Sequence, residues 1–280
     1  MRPKFIRLDK LLVDRKLVES RTLAQEYITG GRVTVEGNLV QKPASQVSPD
    51  VSVKIDVPEK LWVSRGAHKL IKAISFFGLE ISGKTCVDIG ASTGGFTDVL
   101  LHNGAKIVYA VDVGYGQLAW KLRNDNRVVV MERTNARFLT ADMLNDKKAD
   151  IIVSDASFIS LKLLLPALQA LLAERGLMAV LVKPQFEVGR ERVGNGVVTN
   201  PNLHLDVLND LAEFIKRETT LALIDVTFSP IRGPEGNIEF LFLLGSRADP
   251  TIQPKALDFA AVVKEAHECT KSSEHEDRTM

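Results

Sequence analysis

Apolar residues follow two different patterns along the chain, and the change comes near residue 64. Before it, apolar positions recur at helical spacing from Leu8 and again from Leu23, and they alternate with polar positions around Val33 and Val53. These periodicities predict two short helices followed by short strands. The first part of the chain is therefore predicted to be a small α+β unit.

From about Ser64 onward, continuous apolar runs alternate with helical patterns. The runs 151–153 and 180–182 are apolar on both faces, which is typical of strands covered by crossover helices on both sides. Strands are predicted at 85–89, 107–112, 128–131, 151–154, 177–183, 222–228 and 239–244. This alternation predicts a doubly wound, Rossmann-like α/β domain of seven strands.

The domain boundaries follow from these changes in pattern. A chain of 280 residues is long enough for one small and one medium domain. We predict the small domain at 1–58, a linker at 59–64, the α/β domain at 65–247, and a C-terminal helix with a tail at 248–280. The tail is polar from Ser272 and is expected to be flexible.

Composition narrows the class of protein. The net charge of +1 does not by itself indicate a nucleic-acid partner, yet residues 1–55 carry ten basic and six acidic side chains and are therefore at +4. The two cysteines fit a reducing cytoplasm better than a disulfide scaffold. No apolar stretch reaches the roughly 18 residues that cross a bilayer, so a membrane-inserted protein is not expected.

A glycine-rich loop follows the first predicted strand of the α/β domain. Its sequence, G-A-S-T-G-G from Gly90, differs from the G-x-G-x-x-G that holds a pyrophosphate. Asp88 before it would repel phosphates but suits an ammonium group, and Asp112 at the end of the next strand can accept hydrogen bonds from ribose hydroxyls. These features favour S-adenosylmethionine over NAD, with a plain tight turn as the alternative.

Residues that follow the third predicted strand are polar and could meet an adenine ring. The predicted cofactor-binding residues are Asp88, Gly90, Ala91, Ser92, Gly94, Gly95, Phe96, Asp112, Glu132 and Asn135. No metal ligand is predicted.

Two charged residues end the fourth and fifth predicted strands. They are Asp155 and Lys183, and functional groups in open α/β sheets collect at the carboxyl ends of the strands. Both are therefore expected to flank the glycine-rich loop. Either one alone could also be an ordinary solvated charge.

The sequence around these residues resembles the RNA 2′-O-methyltransferases related to the heat-shock methyltransferase of bacterial ribosomes, the FtsJ-like family. The similar motifs are R-G-A-H-K-L at 65–70, V-S-D-A-S at 153–157, V-K-P at 182–184 and N-I-E-F at 237–240. That family uses a Lys-Asp-Lys-Glu tetrad, and the matching residues are Lys69, Asp155, Lys183 and Glu239. The family's last strand runs antiparallel, so the resemblance places Glu239 at the same edge of the sheet as the other three.

The chemistry of such a tetrad gives each member a role. A ribose 2′-hydroxyl is a poor nucleophile until its proton is removed, and a lysine accepts a proton only when part of it is neutral, below its reference pKa of about 10.4. Burial and a neighbouring cation favour neutral lysine, while carboxylates oppose it and orient the amine. Lys183 is assigned as the base and the other three as positioning groups. The alternatives are a solvated helix residue for Lys69 and a strand-edge charge for Glu239.

A closer resemblance covers nearly the whole chain. Segments 90–98, 110–118 and 182–187 are similar to those of the TlyA-type family, in which an S4 domain precedes the methyltransferase domain. The resemblance implies 2′-O-methylation of cytidines in 16S and 23S rRNA with S-adenosylmethionine. It implies rRNA or ribosomal subunits as partners, with neither DNA nor a membrane, and it leaves the oligomeric state open. Some members carry the name haemolysin.

The first 60 residues resemble the S4 domain of ribosomal proteins, pseudouridine synthases and tRNA synthetases, through segments 7–12, 20–24 and 31–35. Aromatic residues are scarce here, which favours structured RNA over single strands. Basic side chains are predicted to contact phosphates and RNA shape. The predicted RNA-binding residues are Arg7, Lys10, Arg21, Arg32 and Arg65.

Other functions remain as alternatives at this point. They are a non-catalytic ribosome-binding factor with a cofactor pocket, a membrane-lytic haemolysin, a pseudouridine synthase and an NAD oxidoreductase. The first would be indicated by the loss of a tetrad member, and all four are present. The second lacks a spanning segment, the third lacks its catalytic aspartate motif, and the fourth lacks the matching glycine loop.

Overall fold

The computed structural model describes residues 5–18, 21–56, 62–189 and 191–276. The chain divides into two compact units, Met1–Leu61 and Trp62–Met280. The predicted linker at 59–64 falls across this division. Its first part lies outside the described residues, whereas Trp62 and Val63 pack against the core of the second unit.

The first unit combines two helices with short strands. Its elements are β1 (Ile6–Arg7), α1 (Leu8–Asp14), α2 (Arg21–Thr29), β2 (Val33–Val35), β3 (Asn38–Leu39), β4 (Gln46–Val47) and β5 (Val53–Ile55). β2 lies between β3 and β5 in one antiparallel sheet, and β1 pairs with β4 in another. Leu8, Leu12 and Ile28 are fully buried, which confirms the small α+β unit predicted from the helical spacing of apolar positions.

The second unit alternates strands and helices. Its elements are α3 (Ala67–Phe77), β6 (Thr85–Ile89), α4 (Gly95–His102), β7 (Ile107–Val111), α5 (Trp120–Arg123), β8 (Val128–Met131), β9 (Ala149–Ser154), α6 (Leu161–Leu171), β10 (Leu172–Val182), α7 (Pro184–Glu187), α8 (Pro201–Glu218), β11 (Leu221–Phe228), β12 (Phe240–Ser246) and α9 (Phe259–Glu276). Short 3₁₀ turns lie at Ala136–Phe138 and Asp142–Leu144.

The strands of the second unit form one seven-stranded sheet in the order β11-β12-β10-β9-β6-β7-β8. β12 is antiparallel to both of its neighbours, and every pair along the series β10-β9-β6-β7-β8 is parallel. This arrangement confirms the predicted doubly wound fold. Because Val182 at the end of β10 lies opposite Phe240 at the start of β12, both strands present these ends at the same edge of the sheet.

Helices cover both faces of this sheet. Along β6, Val87 and Ile89 belong to one apolar cluster and Cys86 to another, and all three are buried. Successive side chains of a strand point to opposite faces, so a continuous apolar run is what a doubly covered strand requires.

Two segments differ from the predicted boundaries. β10 begins directly after α6, at Leu172, because an irregularity between Leu172 and Leu177 lets the earlier residues join the ladder beside Ala149. α9 continues to Glu276, so the described part of the predicted tail is helical. The helix can extend this far because each further residue that it orders gains one backbone hydrogen bond. Residues 277–280 lie outside the described residues.

Within the described ranges, every helix is too short or too polar to cross a bilayer.

Candidate active site

The glycine-rich loop brings two strand ends unusually close together. Gly90 has φ of +80°, and a Cβ atom added there would lie 2.9 Å from the Cα of Ala156 in the loop after β9. Any side chain would therefore separate the two loops. Gly94, with φ of +96°, turns the chain into α4 where a side chain would overlap Leu122.

Two adjoining cavities open at this edge of the sheet. The first, here called the β7 cavity, measures about 350 Å³ and lies beside the end of β7. The second, called the lysine cavity, measures about 270 Å³ and contains Lys69 and Lys183. Residues common to both linings are Gly90, Ser92, Asp155 and Ser157. A ligand in the first cavity would therefore adjoin the groups in the second.

The β7 cavity has one acidic wall and one apolar wall. The two carboxylate oxygens of Asp112 accept hydrogen bonds from the backbone N–H groups of Ser92 and Gly114, both at 2.7 Å. Each oxygen keeps a further lone pair for ligand hydroxyls. The apolar wall includes Ala136, Ile159 and Leu164. A carboxylate that can bind ribose hydroxyls, together with apolar side chains that can contact a base, fits a nucleoside ligand.

Most of the predicted cofactor residues lie at these cavities. The β7 cavity is lined by Gly90, Ser92, Asp112 and Asn135, and the lysine cavity by Gly90, Ala91, Ser92, Gly95 and Phe96. Asp88, Gly94 and Glu132 are absent from both linings within the described part of the chain.

Asp88 and Glu132 have protein partners instead of a place in either cavity. Asp88 is fully buried under the loop and accepts a hydrogen bond from the hydroxyl of Thr97 at 2.7 Å. Burial raises the pKa of Asp88 to about 7. Glu132 accepts a hydrogen bond from the backbone of Gly116 and forms an ion pair with Arg123, which lowers its pKa.

The four residues that resemble the Lys-Asp-Lys-Glu tetrad form one cluster. The amine of Lys69 lies 3.1 Å from Asp155 Oδ2 and 2.7 Å from Glu239 Oε2. The amine of Lys183 lies 2.6 Å from Asp155 Oδ1. Asp155 thus bridges the two lysines, one through each carboxylate oxygen.

Burial distinguishes the members of this cluster. Lys69, Lys183 and Glu239 are buried, whereas the side chain of Asp155 keeps 20% of its area exposed. Burial raises the pKa of Glu239, and the charge of Lys69 opposes this rise. Two ammonium groups and two carboxylates compensate one another, which is the condition under which charges persist away from water.

Backbone geometry fixes Glu239 in place. Asn237, two residues earlier, is fully buried; its side chain accepts a hydrogen bond from the backbone of Val198 at 2.8 Å and donates one to Gly196 at 3.0 Å. A Cβ atom at Gly233 would lie 2.7 Å from Glu239 Oε1, so this loop packs directly on the carboxylate. The antiparallel direction of β12 brings this loop to the edge of the sheet at which β10 ends.

Two residues at the cavities carried no role in the sequence-based prediction: Ser157, which lines both cavities, and Phe158, which lines the β7 cavity. Ser157 accepts a hydrogen bond from Lys183 at 2.8 Å. Phe158 is 90% exposed with φ of +63°, and its ring centroid lies 5.3 Å from that of Phe186. A bulky residue held exposed in the left-handed region is rare and points to a function. Both residues directly follow Asp155 and Ala156 in the loop after β9. This position next to a predicted site residue is the sequence signal that could have identified them.

The predicted RNA-binding residues of the first unit divide into two kinds. Arg7 and Arg21 both donate to the buried carboxylate of Asp9, at 2.9 Å, and the hydrogen bond from Arg7 is the main cause that lowers its pKa. Lys10 and Arg32 are exposed.

Arg65 belongs to the second unit. It lines the lysine cavity and donates to the backbone carbonyl of Arg232 at 3.3 Å.

No three His, Cys, Asp or Glu side chains among the described residues come together in a way that could hold a metal ion.

Comparison with known proteins identifies the class that this fold and cluster define. The model of the FtsJ-like methyltransferases matches residues 62–246, and the S4 domain model matches residues 6–53. The second unit is thus an FtsJ-like methyltransferase domain, joined to an S4 domain.

Full-length relatives narrow the class further. The chain is 46% identical to the 16S/23S rRNA (cytidine-2′-O)-methyltransferase TlyA of Mycobacterium tuberculosis, over 91% of this chain and 95% of that protein. It is 42% identical to Hemolysin A of Brachyspira hyodysenteriae, over 84% of this chain and 98% of that protein. A solved structure from Streptococcus thermophilus that carries the name hemolysin is 40% identical, with a TM-score of 0.75 and coverage of 98% and 99%. The chain belongs to the TlyA family of FtsJ-like methyltransferases.

Proposed function

We propose that this protein transfers a methyl group from S-adenosylmethionine to the ribose 2′-hydroxyl of cytidine in 16S or 23S rRNA, or in both. The observation that carries the proposal is the cluster of Lys69, Asp155, Lys183 and Glu239 beside a cavity suited to a nucleoside. The names of relatives that align with most of the chain support this substrate class.

The β7 cavity is the site we assign to the cofactor. Asp112 would bind the ribose hydroxyls, and the apolar side chains of Ile159 and Leu164 would contact the adenine. The backbone around Gly90 would contact the end of the cofactor that lies nearest the lysine cavity. When bound, S-adenosylmethionine supplies a methyl group on a positively charged sulfur. Asp88 acts below the surface of the loop by supporting α4 through Thr97.

The lysine cavity is the site we assign to the target ribose. Lys183 in its neutral form accepts the proton of the 2′-hydroxyl, and Asp155 orients its amine. Lys69, held between Asp155 and Glu239, places a positive charge beside the developing alkoxide. Phe158, which lines the adjoining β7 cavity, offers an exposed ring on which the cytosine base stacks once it leaves the RNA helix.

The S4 unit supplies affinity for structured rRNA. Its exposed Lys10 and Arg32, with the guanidinium groups of Arg7 and Arg21, contact phosphates, and Arg65 guides the backbone of the target into the lysine cavity. The substrate is RNA within ribosomal subunits, so the protein acts in the cytoplasm. The boundaries 1–58, 59–64, 65–247 and 248–280 are retained as the proposed organisation of the chain.

The test measures methyl transfer to ribosomal subunits. Full-length protein is incubated with radiolabelled S-adenosylmethionine and 30S or 50S subunits from a strain that lacks the gene, and modified nucleotides are mapped by 2′-O-specific stops of reverse transcription. Wild type is expected to label a cytidine ribose. Lys183→Ala is expected to lower the rate by about 10²- to 10⁴-fold while it still binds the cofactor.

Lys162→Ala is the matched control, because Lys162 forms an ion pair with Asp210 on the surface and lies outside both cavities. It is expected to methylate like wild type. Absence of label from every subunit, with normal cofactor and RNA binding, would favour the alternative of a non-catalytic ribosome-binding factor. Release of haemoglobin from erythrocytes by the purified protein would revive the lytic alternative.

A further inference from the structure

We propose that Ser157 is a catalytic residue that relays the proton from the substrate 2′-hydroxyl to Lys183. This inference deepens the proposed function and rests on it. It starts from the surroundings of the Lys183 amine. Three oxygen atoms lie near Nζ: Asp155 Oδ1 at 2.6 Å, the backbone carbonyl of Asp155 at 3.1 Å and Ser157 Oγ at 2.8 Å.

These three oxygen atoms suit an ammonium group. The protonated amine has three N–H bonds, and each oxygen can accept one of them. The neutral amine, which is the form that acts as a base, has two N–H bonds and a lone pair that needs a donor. An ionised carboxylate and a carbonyl have no proton to give, whereas a serine hydroxyl both donates and accepts. Of the three groups, Ser157 is therefore the one that can face the lone pair of neutral Lys183.

The position of Ser157 allows it to reach the substrate. The residue is exposed and lines both cavities, so its hydroxyl lies where the target ribose and the methyl donor meet. Lys183 also lines the lysine cavity, but only 6% of its surface is exposed, and its amine lies 2.8 Å from the Ser157 hydroxyl. The serine oxygen can therefore receive a proton from the ribose while its own proton passes to the amine.

The proposed step moves two protons in one direction. The O2′–H bond of the ribose breaks as a new O–H bond forms on Ser157, and the former hydroxyl proton of Ser157 bonds to Nζ of neutral Lys183. Oxygen O2′ forms its bond to the methyl group as the methyl–sulfur bond breaks and leaves its electron pair on sulfur. Lys183 ends as an ammonium group with the three oxygen acceptors described above, and Ser157 ends as a neutral hydroxyl.

Lys69 offers a contrast that supports this assignment. Its amine lies between two carboxylates, 3.1 Å from Asp155 and 2.7 Å from Glu239. No hydroxyl–amine hydrogen bond like that of Ser157 is present at Lys69 among the described residues. The two lysines thus have different partners, one suited to a fixed charge and the other to the exchange of a proton.

The experiment compares Ser157→Ala and Ser157→Thr with wild type in full-length protein, with single-turnover methyl transfer to rRNA as the readout. Loss of the hydroxyl is expected to slow transfer about 10- to 100-fold, while threonine, which keeps a hydroxyl, restores most of the rate. Binding of S-adenosylmethionine and the melting temperature are measured in parallel to exclude a folding defect. In mixtures of H₂O and D₂O, wild type should show two protons in flight and the alanine variant fewer.

Ser160→Ala is the matched control for a general disturbance of this loop. The hydroxyl of Ser160 contacts Glu187 and caps α6. Its loss is expected to leave the number of transferred protons unchanged. Equal rates for wild type and Ser157→Ala would overturn the relay but leave the proposed function intact. Absence of methyl transfer by wild type would overturn both.

Discussion

Both units contain an aspartate between two cationic side chains, but they bury opposite partners. In the S4 unit the carboxylate of Asp9 is fully buried, while its partners Arg7 and Arg21 keep 43% and 56% of their side-chain area exposed. In the methyltransferase unit the lysines are buried, and Asp155 is the partly exposed member.

This inversion changes what each cluster offers. The buried Asp9 fixes the arginines and leaves their outer N–H groups in solvent, where they can bind phosphates without further ordering. The lysines of the Lys-Asp-Lys-Glu cluster are largely buried, and their amines contact defined carboxylate oxygens. An exposed cation provides affinity, whereas a buried cation with defined partners provides chemistry.

Replacement of Asp155 should give the largest difference between the two clusters. Asp155→Asn removes the charge that both lysines share, so methyl transfer is expected to fall about 10²-fold or more in a single-turnover assay. Asp210→Asn, which breaks a surface pair with Lys162, should keep the wild-type rate. An active Asp155→Asn variant would show that the bridge between the lysines is dispensable.

The pH dependence of stability should separate two buried aspartates. The pKa of Asp9 is lowered by its arginines, so its stabilisation is present above the unfolded value of 3.8 and is lost as the pH falls below it. The pKa of Asp88 is raised to about 7 by burial, so its contribution is present below 3.8 and is lost as the pH rises through 7.

Urea unfolding at pH 5 and pH 8 measures this difference. Asp9→Asn should cost about 1 to 2 kcal/mol at both values, because Asp9 is ionised at both. For Asp88→Asn, the difference in free energy of unfolding between variant and wild type should depend on pH. This difference should favour the variant by about 2 kcal/mol more at pH 8 than at pH 5. An equal pH response of the two variants would contradict the raised pKa of Asp88.

The smallest expected effects concern single cations of the S4 unit. Lys10→Ala or Arg32→Ala should weaken rRNA binding about 3- to 10-fold and lower the slope of log affinity against log salt by about one. Arg7→Ala should change the slope less, because Arg7 and Arg21 share the charge of Asp9. Lys264→Ala on α9 serves as the control, and a loss of affinity as large as that of Lys10→Ala would indicate non-specific attraction.

The periodicity of apolar residues was enough to predict the fold and two of the four residues of the Lys-Asp-Lys-Glu cluster. Runs such as Ile151–Val153 can only be buried on both sides, and strand ends in such a sheet converge at one edge. Lys183 and Asp155 were therefore predictable from their places at the strand ends. Lys69 and Glu239 came from the resemblance, since a helix and an antiparallel strand carry no such signal.

Tertiary structure alone decided the direction in which side chains face. Asp88 and Asp112 both follow the pattern of an acid at a strand end, yet packing of α4 buries the first under the loop and leaves the second in the cavity. Ser157 lies 2.8 Å from the amine of Lys183 because β9 and β10 are neighbours in the sheet. The sequence determines which groups lie at the ends of strands, because the period of apolar residues marks where each strand ends. The contacts of those groups depend on close packing of segments distant in the chain, which no local pattern encodes.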